Sequence, residues 1–218
     1  EETAARLRKL GSKQVELFSQ VAISENTIDI IKETSYSFDG STKFLSVGRL
    51  LPWKGFHLGL QAFESSALSN SEYWIIGEGP EKNRLKKLAK RLGVEDRVRF
   101  LGQQPRSRVL QLLSQSNALI HPSLHESGGY ASIEAMAAGL PVICLDLGGP
   151  ALQVNEESGF KIKAISTKQT VMEISQAMYK IASDQNLCKN LGGNSRKRVY
   201  NEFFWNKKAF QLLQYYND

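Results

Sequence analysis

Cysteine is scarce in this 218-residue chain: only Cys144 and Cys188 occur. Two residues cannot make a disulfide framework, and Cys144, inside the apolar run LPVICLDL, reads as a small buried side chain. The two Cys residues lie 44 positions apart, far from metal-ligand spacing, and no Asp-x-Asp element is present. Such cysteine usage points to a reducing compartment. Long apolar runs are lacking too. None approaches the ~18 residues of a membrane span, and the opening EETAARLRKLGSK has no signal-peptide core. The expectation is a cytoplasmic protein, with peripheral attachment to the inner face of a membrane left open. An acidic excess is absent as well: 28 Lys and Arg against 22 Asp and Glu leave a net charge of +6. That balance suits a phosphate-bearing small molecule and calls for no nucleic acid. Nine of the 28 cations fall in EKNRLKKLAKR and NSRKRVYNE, which read as solvated helix faces.

What is present is a rhythm. Short apolar runs at KFLSVG (43–48), YWIIGEG (73–79), VRFLG (98–102), ALIHPS (118–123), PVICLDL (141–147) and GFKIK (159–163) read as strands. Between them, FHLGLQAFESSAL (56–68), EKNRLKKLAKRLG (81–93), RSRVLQLLSQS (106–116) and the stretch ending at Gly139 carry helical periodicity. Helical segments continue from about 168 to the end. Alternating strands and helices predict βαβ units. Uniformly apolar strands predict a parallel sheet covered on both faces. The fold class is therefore α/β, a Rossmann-like doubly wound parallel sheet over residues 41–190, with C-terminal helices over 191–218. Residues 1–40 read as a short amphipathic helix, one possible strand in QVELFSQVAIS, and a polar linker. They are expected to be the tail of an absent N-terminal domain, so that the chain is an excised piece.

In doubly wound sheets ligands bind beyond the carboxyl ends of the strands, where the glycines of this sequence cluster. VGRLLPWKGF (47–56) places Gly48, Arg49 and Lys54 on a loop after the first strand. An Arg fork and a Lys point charge can close on a diphosphate from two sides. HESGGYASIEAMAAG (125–139) places Ser127, Gly128 and Gly129 before a helix that begins near Tyr130. Glycines let backbone N–H groups approach a ligand, and the helix N-terminus favours phosphate. Glu126 precedes this helix and Glu134 lies about one turn into it. Paired sugar hydroxyls are good donors to such carboxylates. LGGPALQ (147–153) is a further glycine-rich turn. Of the histidines, His121 reads as packed within a strand, His125 as able to reach a ligand beside Glu126, and His57 as a helix-surface residue.

VGRLLPWKG, IIGEGP, VRFLGQ, HPSLHESGGYASIEAMAAGLPVI and NEFFWNKKAFQ, in this order over about 45–210, resemble the donor-binding C-terminal domain of the retaining group 1 glycosyltransferases, one half of a GT-B fold. The resemblance implies that Arg49 and Lys54 bind the donor diphosphate and that Glu126 lies against the donor sugar. These three are the candidate catalytic residues. It implies that Glu134 holds the ribose hydroxyls and that Gly48 and the backbone of Ser127, Gly128, Gly129 and Tyr130 contact sugar and phosphate. Gly102, Gln103 and Gln104 are similar to the turn that reads the base. Gly77-Glu78-Gly79 is similar to a cleft-lining turn, and Trp205 to a tryptophan on helices that brace two domains. The implied substrate is a nucleotide-diphosphate sugar, transferred to an acceptor hydroxyl with retained configuration and without a metal or other cofactor. The implied partner is the chain's own N-terminal acceptor domain. One departure stands out: many relatives have an aromatic where this chain has Gly128. A non-catalytic nucleotide-sugar sensor is the alternative reading. A nicotinamide-dependent oxidoreductase needs G-x-G-x-x-G at the first turn, which Gly48-Arg49-Leu50 does not supply. A phosphorylase needs a pyridoxal lysine context that is not evident.

Overall fold

The computed structural model describes residues 2–16, 18–32 and 40–217. The six apolar runs form six strands: β1 (Thr42–Val47), β2 (Ser71–Ile76), β3 (Val98–Gly102), β4 (Ala118–His121), β5 (Val142–Leu145) and β6 (Gly159–Ile162). They make one parallel sheet in the order β3-β2-β1-β4-β5-β6. The crossovers are α3 (Phe56–Ser65), α4 (Lys82–Arg91), α5 (Arg106–Ser114) and α6 (Tyr130–Ala137). Gly93 and Gly139, just past the ends of α4 and α6, adopt the left-handed conformation that stops a helix.

Strand side chains alternate between two cores, as a period of two requires. Phe44, Tyr73, Ile75, Ile120 and Ile143 face one layer, with α3, α4 and α8 (Thr167–Ser183) packed on it. Leu45, Ile76, Leu119 and Val142 face the other, under α5, α6 and α9 (Gln185–Glu202). Both layers exclude water from the middle of the sheet, so β4 and β5 are buried along their whole length, whereas Arg99 of β3 and Lys161 of β6, at the sheet edges, are exposed.

The flanks differ from the expectation in three places. The polar stretch read as linker contains a helix, α2 (Glu25–Lys32), which buries Ile28 and Ile31 in the second core. QVELFSQVAIS yields no strand among its described residues, only a bridge from Ile23 to Phe204. Val21 and Ile23 are nonetheless buried, because the bridge pulls this segment onto the body of the fold. LGGPALQ, read as a turn, is the short helix α7 (Gly148–Gln153). The amphipathic opening is helical as expected, α1 (Glu2–Lys9), and the chain ends in α10 (Trp205–Asn217). The boundary expected at 190 falls inside α9. The rest of the expected linker, 33–39, lies outside the described residues.

Candidate functional site

The strand order reverses between β1 and β4, and a crevice opens at their carboxyl ends. Two loops meet there. After β1 the chain turns at Gly48, where Gly77 crowds it: a Cβ on Gly77 would lie 1.9 Å from the Gly48 carbonyl oxygen. Leu50 is fully buried and its N–H donates to Glu78 O at 2.8 Å. A single helical turn, Pro52–Lys54, ends at Gly55, which is left-handed and packs so tightly on Pro122 that a Cβ would sit 1.9 Å from its carbonyl oxygen. Leu124 N–H then donates to Trp53 O at 2.7 Å. These contacts join the loop after β1 to the loop after β4 and bring Lys54 to Glu126. Lys54 Nζ donates to Glu126 Oε2 at 2.5 Å. His121, the last residue of β4, places Nε2 3.4 Å from the same oxygen. That distance is long for a hydrogen bond, and the buried Nε2 has no other hydrogen-bond partner.

α7 holds the Glu126–Gly129 turn from the other side. Gly149 N–H donates to Glu126 O at 3.1 Å, and Gln153 Nε2 donates to Gly128 O at 2.6 Å. A Cβ on Gly148 would lie 1.9 Å from Glu126 O, so this approach is open only to glycine. Gly129, at φ 76 and ψ 45, then turns the chain into α6. LGGPALQ is therefore the clamp on the ESGG turn.

Two carboxylates sit in contrasting surroundings. His121 and Lys54 hold the Glu126 carboxyl down to about 2, against the opposing effect of burial. Glu126 is thus ionised at neutral pH and acts only as an acceptor. Burial raises the carboxyl of Glu134 above its ordinary value, and Arg106 partly offsets this. Arg106 Nε donates to Glu134 Oε1 at 2.8 Å, and its Nη2 donates to Thr27 Oγ1 at 3.0 Å. Glu134 lies among Ala, Ile and Met on α6, where a buried carboxylate needs a partner, and α5 supplies one.

A cavity of about 580 Å³ opens over the turn, and Gly48, Lys54, Glu126, Ser127, Gly128, Gly129, Tyr130 and Glu134 all line it. A neighbouring cavity of about 550 Å³ shares Val47, Tyr130 and Glu134 and is also lined by Gln104, Arg106 and Trp205. Arg49 is exposed, lines neither cavity and has no ion pair among the described residues. Gly102 and Gln103 line neither cavity. Gln104 reaches the second while its Nε2 donates to Leu101 O at 2.6 Å. Gly77 and Gly79 serve close packing against Gly48 and Leu50.

Several residues at the site were not singled out from the sequence. His121, read only as packed, is buried and also faces the cavity, whereas His125 is exposed and lines neither cavity. His57 is half-buried, and desolvation lowers its basicity. Arg106 and Gln153 carry no local signal, since each acts on an element distant in sequence. Among the described residues no group of three or more His, Cys, Asp or Glu side chains gathers as a metal site. No described helix is long and apolar enough to cross a membrane.

This strand order, with the site at the reversal between β1 and β4, defines a Rossmann-like half of the GT-B architecture. The chain belongs to the group 1 glycosyl transferases, whose family pattern matches residues 27–198. It is 33% identical over 145 residues to N-acetyl-alpha-D-glucosaminyl L-malate synthase of Bacillus anthracis, covering 66% of this chain and 36% of that protein. It is 31% identical over 222 residues to alpha-1,3/1,6-mannosyltransferase ALG2 of Dictyostelium discoideum, covering 92% of this chain and 50% of that protein. The chain thus spans half or less of the length of these relatives. Among solved structures, sucrose-phosphate synthase from Thermosynechococcus elongatus superposes with a TM-score of 0.78 at 26% identity, over 99% of this chain and 56% of that one. Anabaena HepE, in complex with UDP, gives a TM-score of 0.78 at 20% identity, over 98% and 60%.

Proposed function

We propose that this chain binds a sugar linked to a nucleoside diphosphate and presents it for transfer to an acceptor hydroxyl with retained anomeric configuration. The observation that carries this reading is the Lys54–Glu126–His121 cluster beneath the glycine turn, facing a cavity of about 580 Å³. The diphosphate would sit between Lys54, Arg49 and the N-terminus of α6. Glu126, ionised and acceptor-only, would take sugar hydroxyls. Glu134, in the wall common to both cavities, would take the ribose hydroxyls with the oxygen that Arg106 does not use. The base would lie in the second cavity, near Gln104. HepE is described with UDP bound, which agrees with this class of donor.

In the proposed reaction the bond from the anomeric carbon to the diphosphate oxygen breaks, and the acceptor oxygen bonds to that carbon on the same face. The acceptor proton passes to the departing phosphate. Charge grows on the leaving diphosphate, so preorganised cations and a helix N-terminus aimed at it lower the barrier. Lys54 is held by Glu126 before the donor arrives. A diphosphate would share that cation, leaving Glu126 free to turn to the sugar. The reading includes metal independence, and an acceptor domain outside this chain as the partner that completes the cleft. Residues 41–190 are its donor-binding unit.

Calorimetric titration with UDP, GDP and ADP tests it. Weak binding of at least one, unchanged by EDTA, is expected, with negligible transfer by this chain alone. No binding of any of the three at millimolar concentration would refute it.

A further inference from the structure

We propose that Val21, with Gln20 beside it, forms one wall of the donor-sugar pocket, and that residue 128 is glycine to make room for that wall. The inference rests on the donor-binding reading above and adds a specificity-determining residue from outside the sheet. Gly128 is not in the left-handed region, unlike its neighbour Gly129. Its backbone conformation therefore does not call for glycine, and the requirement is one of space. A Cβ on residue 128 would lie 2.9 Å from Val21 Cγ1 and 3.5 Å from Gln20 Nε2. The first distance is closer than carbon atoms pack, so one of the two residues must shift if 128 gains a side chain.

Val21 is poorly placed to shift. It is 1% exposed and belongs to the second core. Two residues further on, Ile23 N–H donates to Phe203 O at 2.7 Å, and Trp205 N–H donates to Ile23 O at 3.3 Å. These bonds tie the segment to the start of α10. Gln20 and Val21 nevertheless line the same cavity as Lys54 and Glu126. A segment that precedes the first strand by some twenty residues therefore lines the same pocket as the Lys54–Glu126–His121 cluster. In this reading the sugar is the part of the donor that meets this wall, because Glu126, which takes the sugar hydroxyls, is two residues before Gly128 and lines the same cavity.

The test is a double-mutant cycle on the 218-residue chain. Gly128→Ala, Val21→Ala and the double variant are titrated with UDP, GDP and ADP and with UDP-glucose, UDP-N-acetylglucosamine, GDP-mannose and ADP-glucose. Gly128→Ala should weaken the best sugar conjugate at least tenfold and its nucleoside diphosphate less than threefold. Adding Val21→Ala should return the conjugate to within threefold of the parent chain. Val21→Ala alone should shift preference toward UDP-N-acetylglucosamine over UDP-glucose where UDP is the base that binds. If Gly128→Ala fails to fold, recovery of folding and conjugate binding in the double variant supports the steric pairing. A double variant no better than Gly128→Ala overturns it. So does equal loss for conjugate and free diphosphate. A parent chain that binds none of the three diphosphates overturns the donor reading and this inference with it. Binding of the diphosphates without sensitivity of the conjugates to residues 21 and 128 overturns this inference alone.

Discussion

Replacing Glu126 by Gln keeps the shape of the side chain and removes its charge. In the folded chain this carboxyl titrates at about 2, against an ordinary 4.5, because His121 and Lys54 favour its charged form. The interval, 4.5 − 2 = 2.5 pH units, corresponds at about 1.36 kcal/mol per unit to about 3.4 kcal/mol. The cluster opens onto solvent, and screening there reduces the figure to roughly 1–2 kcal/mol. The folded pKa is depressed, so this stability is fully present above pH 4.5 and is lost as pH falls toward 2. The Gln variant lacks it at every pH and also leaves Lys54 and His121 without their anion. Urea unfolding of both chains at pH 7, 5, 4 and 3 separates this effect from general acid destabilisation, which both chains share. The parent should be more stable by about 1–2 kcal/mol at pH 7 and 5, with the difference shrinking steadily below pH 4.5. A difference that stays constant from pH 7 to 3, or a Gln variant that is the more stable at pH 7, would refute the reasoning.

Other changes probe the rest of the site. Glu134→Ala should weaken the bound nucleoside diphosphate at least tenfold and pyrophosphate less than threefold. Equal losses in calorimetry would sink the ribose role. Arg106→Ala removes the cation that offsets burial at Glu134, so the carboxyl should rise further. Nucleotide binding followed from pH 8 down to 5 should then fall off at a higher pH than in the parent, and an identical pH profile would count against Arg106 as the residue that keeps Glu134 ionised. Gly77→Ala puts a carbon against Gly48 O in a backbone at φ +137. It should cost roughly 2–4 kcal/mol in urea unfolding, and a loss under about 0.5 kcal/mol would show that the turn relaxes freely.

Local pattern was enough for the sheet. Runs such as KFLSV and PVICL are apolar on both alternating faces, a property that only a strand between two helical layers tolerates, and all six appeared where the runs lie. Glycine at strand ends located the crevice, because φ/ψ freedom and close backbone approach are needs written at single positions. Motif spacing also placed Lys54, Glu126 and the Ser127–Tyr130 turn around one cavity. Other features depended on contacts between residues far apart in the chain. α2 was hidden in a stretch that reads as polar, since its two buried isoleucines gain their value only once they meet α5. His121 looked like a packed strand residue; the turn after β4 brings Glu126 back to it, and the loop after β1, more than sixty residues earlier, adds Lys54 to the same carboxylate. Arg106 and Gln153 show nothing in their own surroundings in sequence; each is defined by the carboxylate or carbonyl it reaches across the fold. Gly128 shows the division most clearly. Its presence in the ESGG turn could be read directly, but its reason could not, because the atom that excludes a side chain there belongs to Val21, more than a hundred residues earlier in the chain.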